Sequence, residues 1–137
     1  TFQGQGTNNP TSFVQRAAVV AIDSEDSVFE PMVREFKKRR DVIVFGLNAI
    51  EGVRCTLPQG AFYAFPRVDG LFGKTGPTGK ITTSEGLCRY LLEEGRIAAV
   101  PGSAFGAEGH LRLSYATSLE NIQTGLDRMA EAVARLS

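Results

Sequence analysis

Apolar and polar residues alternate over His110-Leu111-Arg112-Leu113-Ser114-Tyr115, which predicts a half-buried strand. Leu111, Leu113 and Tyr115 fall on one face, His110, Arg112 and Ser114 on the other. Asn9-Pro10 reads as an N-cap followed by proline at the first helical position. It opens a helix to residue 22, with Phe13, Ala17, Val20 and Ala21 on an apolar stripe. Ser27 can cap a long second helix over 28–50, on which Val28, Met32 and Phe36 recur at helical spacing and Ile43 and Leu47 resume the stripe. Such a helix is ~30 Å long, enough to bridge two domains.

Strands are predicted over 53–57 and 61–65, on either side of the Pro58-Gln59-Gly60 turn. Residues 69–82 are rich in Gly, Lys, Thr and Pro without a hydrophobic period, and read as a mobile surface loop. Thr82 and Glu85 form a capping box for a helix to residue 94, with Leu87, Tyr90 and Leu91 facing inward and Gly95 at the left-handed C′ position. A strand over 97–100 is stopped by Pro101-Gly102. Thr117 and Glu120 form a second capping box, and the last helix carries the stripe Leu119, Ile122, Leu126, Met129, Val133, Leu136. The order helix, long helix, strand, strand, helix, strand, strand, helix predicts an α/β (α+β) two-layer sandwich, with helices packed on one face of a small sheet.

At 137 residues the chain has the size of one domain and can bury a real core. Its formal net charge is zero, which argues against a nucleic-acid or membrane partner. The basic run Lys37-Lys38-Arg39-Arg40 lies between Glu35 and Asp41 and reads as a solvated helix face. Cys55 and Cys88 fit no metal or redox spacing and read as free thiols, which suits a reducing, cytoplasmic compartment. No apolar run reaches the length of a membrane span, and no leader pattern opens the chain. It starts at Thr1 within a loop-like stretch, as expected of a piece of something longer.

Several chemical motifs fail on inspection. Gly73-Lys74-Thr75 has Val68 where a phosphate loop needs glycine. In Gly102-Ser103-Ala104-Phe105-Gly106 the serine does not stand between the glycines a nucleophile elbow requires. His110 is the only histidine, with no acid cluster around it in sequence, so neither a triad nor a catalytic metal site is indicated. Arg112 is different. A guanidinium on a rigid strand presents a planar, permanently charged fork that matches a carboxylate through two parallel hydrogen bonds. A lone strand arginine is ordinarily a surface or ion-paired residue, so its neighbours must strengthen the case.

They do so together. Gln5-Gly6-Thr7-Asn8-Asn9-Pro10-Thr11-Ser12, Lys38-Arg39-Arg40-Asp41, Pro58-Gln59-Gly60-Ala61-Phe62-Tyr63, Val100-Pro101-Gly102-Ser103-Ala104-Phe105-Gly106 and Leu111-Arg112-Leu113-Ser114-Tyr115-Ala116 stand in one order along the chain. That set resembles the C-terminal part of class I pyridoxal-phosphate aminotransferases, most closely the bacterial aspartate aminotransferase group. The resemblance implies the small C-terminal domain of the type I pyridoxal-phosphate transferase fold with its long connecting helix. Residues 1–27 would end the large domain, and residues 28–137 would form the small one. It implies that Arg112 grips the substrate α-carboxylate, that Phe62 walls the substrate, and that Thr7 and Asn8 reach across a homodimer. It further implies pyridoxal 5′-phosphate in the parent enzyme, an L-amino acid and a 2-oxo acid as substrates, and a dicarboxylic donor with prephenate or another bulky oxo acid as acceptor.

One departure is large. The only lysines are Lys37, Lys38, Lys74 and Lys80, and none stands in the family's Schiff-base context. The family's pyridine-nitrogen aspartate and phosphate-cup residues have no counterpart either. The chain alone is therefore expected neither to hold the cofactor nor to transaminate. Two other roles fit the same resemblance or its absence. One is an effector domain of a transcription regulator, and the other is a non-catalytic ligand-binding domain. Apolar surface on the first two helices is expected to drive some self-association.

Overall fold

A computed structural model describes residues 9–137, so Thr7 and Asn8, the expected cross-subunit contacts, lie outside the described residues. The chain divides into two compact units, Thr1–Val33 and Arg34–Ser137. The first contains helix α1 (Ser12–Ile22) and a 3-10 turn at Asp26–Val28. Helix α1 starts later than expected. Its N-cap is Thr11, which makes no side-chain capping bond, and Pro10 instead offers its carbonyl to Gln15 Nε2 at 2.8 Å. None of its residues is buried within the described chain, Phe13 and Val20 included. The Ser27 hydroxyl donates to Glu25 rather than capping a helix, and helix α2 spans Glu30–Asn48.

The second unit holds the core. Helix α2 contributes Ile43, Val44 and Leu47, the half of its stripe that the sequence places after the basic run. Helix α3 (Ser84–Gly95) contributes Leu87, Tyr90 and Leu91. Helix α4 (Leu119–Ala134) contributes Ile122, Leu126, Met129 and Val133, with Leu136 just beyond its end. Helix α3 packs on α4, where the Tyr90 hydroxyl donates to the Ala132 carbonyl at 2.7 Å.

A three-stranded antiparallel sheet, β1 (Tyr63–Ala64), β4 (Val100–Pro101) and β5 (Leu111–Ser114), completes the core in the order β1-β5-β4. Pro101 is tolerated because β4 is an edge strand and needs no second ladder of donors. Leu111 is fully buried and Tyr115 nearly so, and Leu113 packs on the core, as the alternation requires. The mixed helix-and-sheet class expected from the element order is the one present.

Local departures have local causes. Residues 53–57 form no ladder, only the bridge Arg54–Arg67, because the Asn48 side chain takes both the N–H and the carbonyl of Cys55, at 3.0 and 2.9 Å. Residues 69–82, expected as a mobile surface loop, are built into the fold. The segment holds a 3-10 turn at Asp69–Leu71 and a hairpin of β2 (Thr75–Gly76) with β3 (Gly79–Lys80), and it buries Leu71 and Ile81. Its anchors are distant in sequence, since Thr75 and Ser137 exchange backbone hydrogen bonds at 2.7 and 3.1 Å.

Gly95 lies inside α3 rather than after it. A Cβ there would come within 3.2 Å of Ile97 and 3.5 Å of Ala132, so the glycine serves helix packing. Arg96 takes the left-handed cap position at φ 54°. Both capping boxes are displaced by one residue. Thr83 Oγ1 accepts from the Gly86 N–H at 3.1 Å, and Ser118 Oγ accepts from the Asn121 N–H at 3.2 Å, while Thr117 takes the Asn121 side-chain amide.

The cap assignment is testable. Thr83→Ala should cost about 1 kcal/mol in denaturant unfolding, whereas Thr82→Ala should be neutral. The reverse ranking would place the helix start one residue earlier.

Candidate functional site

Strand β5 brings Arg112 to a half-buried position beside the ring of Tyr63. The register explains the meeting. Tyr63 pairs with Ser114 across the β1–β5 ladder, so Arg112 is its diagonal neighbour on the same face. The guanidinium carbon lies 4.5 Å from the Tyr63 ring centre and 4.7 Å from that of Phe105. Phe105 comes from the 3-10 turn Gly102–Phe105 that follows β4. Contact with aromatic faces is favourable for a guanidinium and leaves its N–H edge free to donate. Among the described residues, Arg112 makes no hydrogen bond and no ion pair.

Around this pair stands an aromatic rim. Phe62 packs on Tyr63 with ring centres 4.6 Å apart and approaches Phe36 of α2 at 6.4 Å. Phe65 meets Phe105 edge-on at 6.1 Å, and its ring stacks on His110 at 5.1 Å. Phe62 and Phe105 remain 42% and 51% exposed, so the rim faces outward from the second unit. His110 accordingly has a packing partner and a place beside the strand, with its Nδ1 3.3 Å from the Glu108 carbonyl oxygen.

The turn before Phe62 is held from β5. Tyr115 donates its backbone N–H to the Phe62 carbonyl at 2.9 Å and its hydroxyl to the Ala61 carbonyl at 3.1 Å. Ala61 adopts φ 57°, a left-handed conformation that costs a residue with a Cβ. Burial pushes the Tyr115 phenol above its ordinary pKa, with Arg40 opposing and Asp41 adding to that trend. Arg40 is also tied to the turn through the Pro58 carbonyl at 3.4 Å, and to Asp41 at 2.7 Å. The basic run is therefore only partly a solvated face. Lys37 and Lys38 are exposed, while Arg39 covers the Phe36 ring at 5.4 Å and Arg40 joins α2 to the turn.

Two sequence-derived site residues thus meet on one rim: Arg112 touches Tyr63, and Tyr63 touches Phe62. Sequence reasoning overlooked Tyr63, Phe65 and Phe105. The period-two spacing of Tyr63 and Phe65 was a usable signal, but Phe105 becomes visible only through tertiary packing. Beside Arg112 the rim offers several rings and, among the described residues, no amine to meet a carbonyl. Lys37 and Lys38 lie on α2, Lys74 precedes β2 and Lys80 lies in β3, all outside the rim. The described residues do not fit pyridoxal phosphate as its holders. Nor do they contain a group of His, Cys, Asp or Glu able to hold a metal ion, and no described helix is long and apolar enough to cross a membrane.

The family model for aminotransferase class I and II matches residues 3–129. This chain belongs to that aminotransferase family. An aspartate aminotransferase of Rhizobium meliloti (strain 1021) is 45% identical over 136 residues, covering 98% of this chain and 33% of that protein. An aspartate/prephenate aminotransferase of Nitrosomonas europaea is 40% identical, covering 96% of this chain and 34% of its own length. The crystal structure of a Rhizobium meliloti aspartate aminotransferase superimposes with a TM-score of 0.90 at 44% identity, covering 99% of this chain and 34% of that one. Alanine aminotransferase from Pyrococcus furiosus follows the same fold with a TM-score of 0.80 at 28% identity, covering 91% of this chain and 30% of that one. The chain spans about a third of the length of these relatives.

The left-handed Ala61 provides a test of the turn geometry. Ala61→Gly should raise stability by up to about 1 kcal/mol, read as a higher unfolding midpoint. A clear drop would mean that the turn does not hold this residue at positive φ.

Proposed function

We propose that this chain supplies the carboxylate-binding part of a pyridoxal-phosphate aminotransferase that moves an amino group from an L-amino acid to a 2-oxo acid. The observation that carries the reading is Arg112, flanked by two rings and without a protein acceptor among the described residues. The names of the relatives support aspartate, or aspartate and prephenate, as the substrate class. In this reading residues 28–137 form the small domain and residues 1–27 the end of the large one. Thr7 and Asn8 contact the second subunit of a cytoplasmic homodimer. Pyridoxal 5′-phosphate, which supplies an electron sink, is held by parts of the full-length protein other than this chain. The chain alone does not transaminate.

The chain's own contribution is binding and orientation. The substrate's α-carboxylate accepts two parallel hydrogen bonds from the guanidinium edge of Arg112. The faces of Tyr63 and Phe105 restrict the guanidinium before substrate arrives, so less ordering remains to be done on binding. Phe62 shields the pair from water on one side, which strengthens the electrostatic attraction. Fixing the carboxylate fixes the direction of the α-C–H bond, and such orientation contributes several kcal/mol to rate.

The test is Arg112→Lys in the full-length protein. Lysine keeps the charge but loses the fork and the flat face that packs on the rings. kcat/KM for the amino acid should fall about 100-fold, equivalent to ~2.7 kcal/mol. Wild-type steady-state kinetics in that variant would remove Arg112 from carboxylate binding.

A further inference from the structure

Glu108 stands outside the aromatic rim, yet its carboxylate joins two distant parts of the second unit. Oε1 accepts hydrogen bonds from both the backbone N–H and the hydroxyl of Ser84, and from the Gly109 N–H at 3.2 Å. Ser84 is the first residue of α3 and is fully buried. The first N–H groups of a helix have no partners within it and carry the positive end of its dipole, so a carboxylate placed there is favoured. The Ser84 hydroxyl, followed by the Ser84 and Gly109 N–H groups, holds the Glu108 carboxyl below the usual carboxylate range, against the opposing effect of desolvation.

The turn that Glu108 ends is rigid within itself. Gly102 donates its N–H to the His110 carbonyl at 2.8 Å, Ala107 donates to the Gly102 carbonyl at 2.9 Å, and Gly106 donates to Ser103 at 3.0 Å. Gly102 is a steric requirement, because a Cβ there would lie 2.2 Å from the Ala107 carbonyl oxygen and 2.6 Å from that of His110. A turn closed in this way moves as one piece. It is attached to the rest of the unit through the β4–β5 ladder at its two ends, through Glu108 to α3, and through the Val68 N–H to the Gly109 carbonyl at 2.7 Å. Phe105 rides on this piece, over Arg112.

We propose that Glu108 is a positioning residue for carboxylate recognition: by pinning the 102–109 turn to the start of α3, it holds Phe105 against the guanidinium of Arg112. The proposal rests on the reading of Arg112 given above. Glu108 acts through Phe105 and touches neither substrate nor Arg112. Without the latch the turn shifts as a unit, Phe105 leaves the guanidinium, and Arg112 must be ordered anew at each binding event. The cost therefore falls on substrate affinity more than on turnover.

The experiment uses the full-length protein with Glu108→Ala, Glu108→Gln and Arg112→Lys. Glu108→Ala should raise KM for the amino acid about tenfold with kcat changed by less than about threefold. Glu108→Gln should restore most of the affinity, because its amide oxygen can still accept from Ser84 and Gly109. Hydrogen exchange measured without substrate should quicken in Glu108→Ala only at the Ser84 amide and in peptides covering residues 102–111. An unchanged KM in Glu108→Ala, alongside an impaired Arg112→Lys, overturns the latch and leaves the arginine reading intact. Faster exchange across the whole domain, with KM and kcat altered alike and no rescue by glutamine, overturns it too by reducing Glu108 to a stability role. Normal kinetics in Arg112→Lys overturn the arginine reading and the latch with it.

Discussion

The contact between the Arg112 guanidinium and the rings of Tyr63 and Phe105 is the interaction on which the candidate site depends. A guanidinium is large, flat and always charged, and an unheld one samples many rotamers. Carboxylates are ordinarily the strongest partners it can find within a protein. Here the partners are aromatic faces, which restrict the plane while leaving the hydrogen-bonding edge unused. A free edge of this kind is what the proposed carboxylate binding requires. Arg67, by contrast, is closed onto Asp69 by hydrogen bonds from Nε and Nη2.

The framework that presents Arg112 is made of backbone more than of side chains. Strand β5 is the middle strand, paired on both edges, and it carries Arg112 opposite Val100. Tyr115, at the end of the same strand, binds the Ala61–Phe62 turn through two hydrogen bonds. On the other side, the turn after β4 is closed by Gly102 and attached through Glu108. Both aromatic walls are thus fixed to the strand that bears the cation, or to the helix packed beside it.

Some of this was legible in the residues, and the reasons are physical. The alternation around Arg112 survives because strand geometry forces it, and Leu111 and Tyr115 are buried as it requires. The stripe of α4 is equally plain, since an amphipathic helix repeats one rule over several turns. The caps were harder. Thr82 and Thr83 are chemically equivalent candidates, and only the Gly86 N–H direction and the Ser84–Glu108 bond decide between them. The hairpin at 75–80 was illegible because its strands are two residues long and its support comes from Ser137 and Tyr90, far away in sequence. Within the site, the strand arginine could be read, but its partners could not. Tyr63 depends on the β1–β5 register, and Phe105 on a turn whose placement is tertiary.

Everything turns on what the edge of Arg112 meets. The most direct measurement is a crystal structure of the full-length protein with a bound dicarboxylate that mimics the substrate. One carboxylate should face Arg112 with both of its oxygens about 2.7–2.9 Å from guanidinium nitrogens, and the Tyr63 and Phe105 rings should still stand beside the cation. An Arg112 closed onto an aspartate or glutamate of the protein, with the ligand bound elsewhere, would contradict carboxylate binding at this edge.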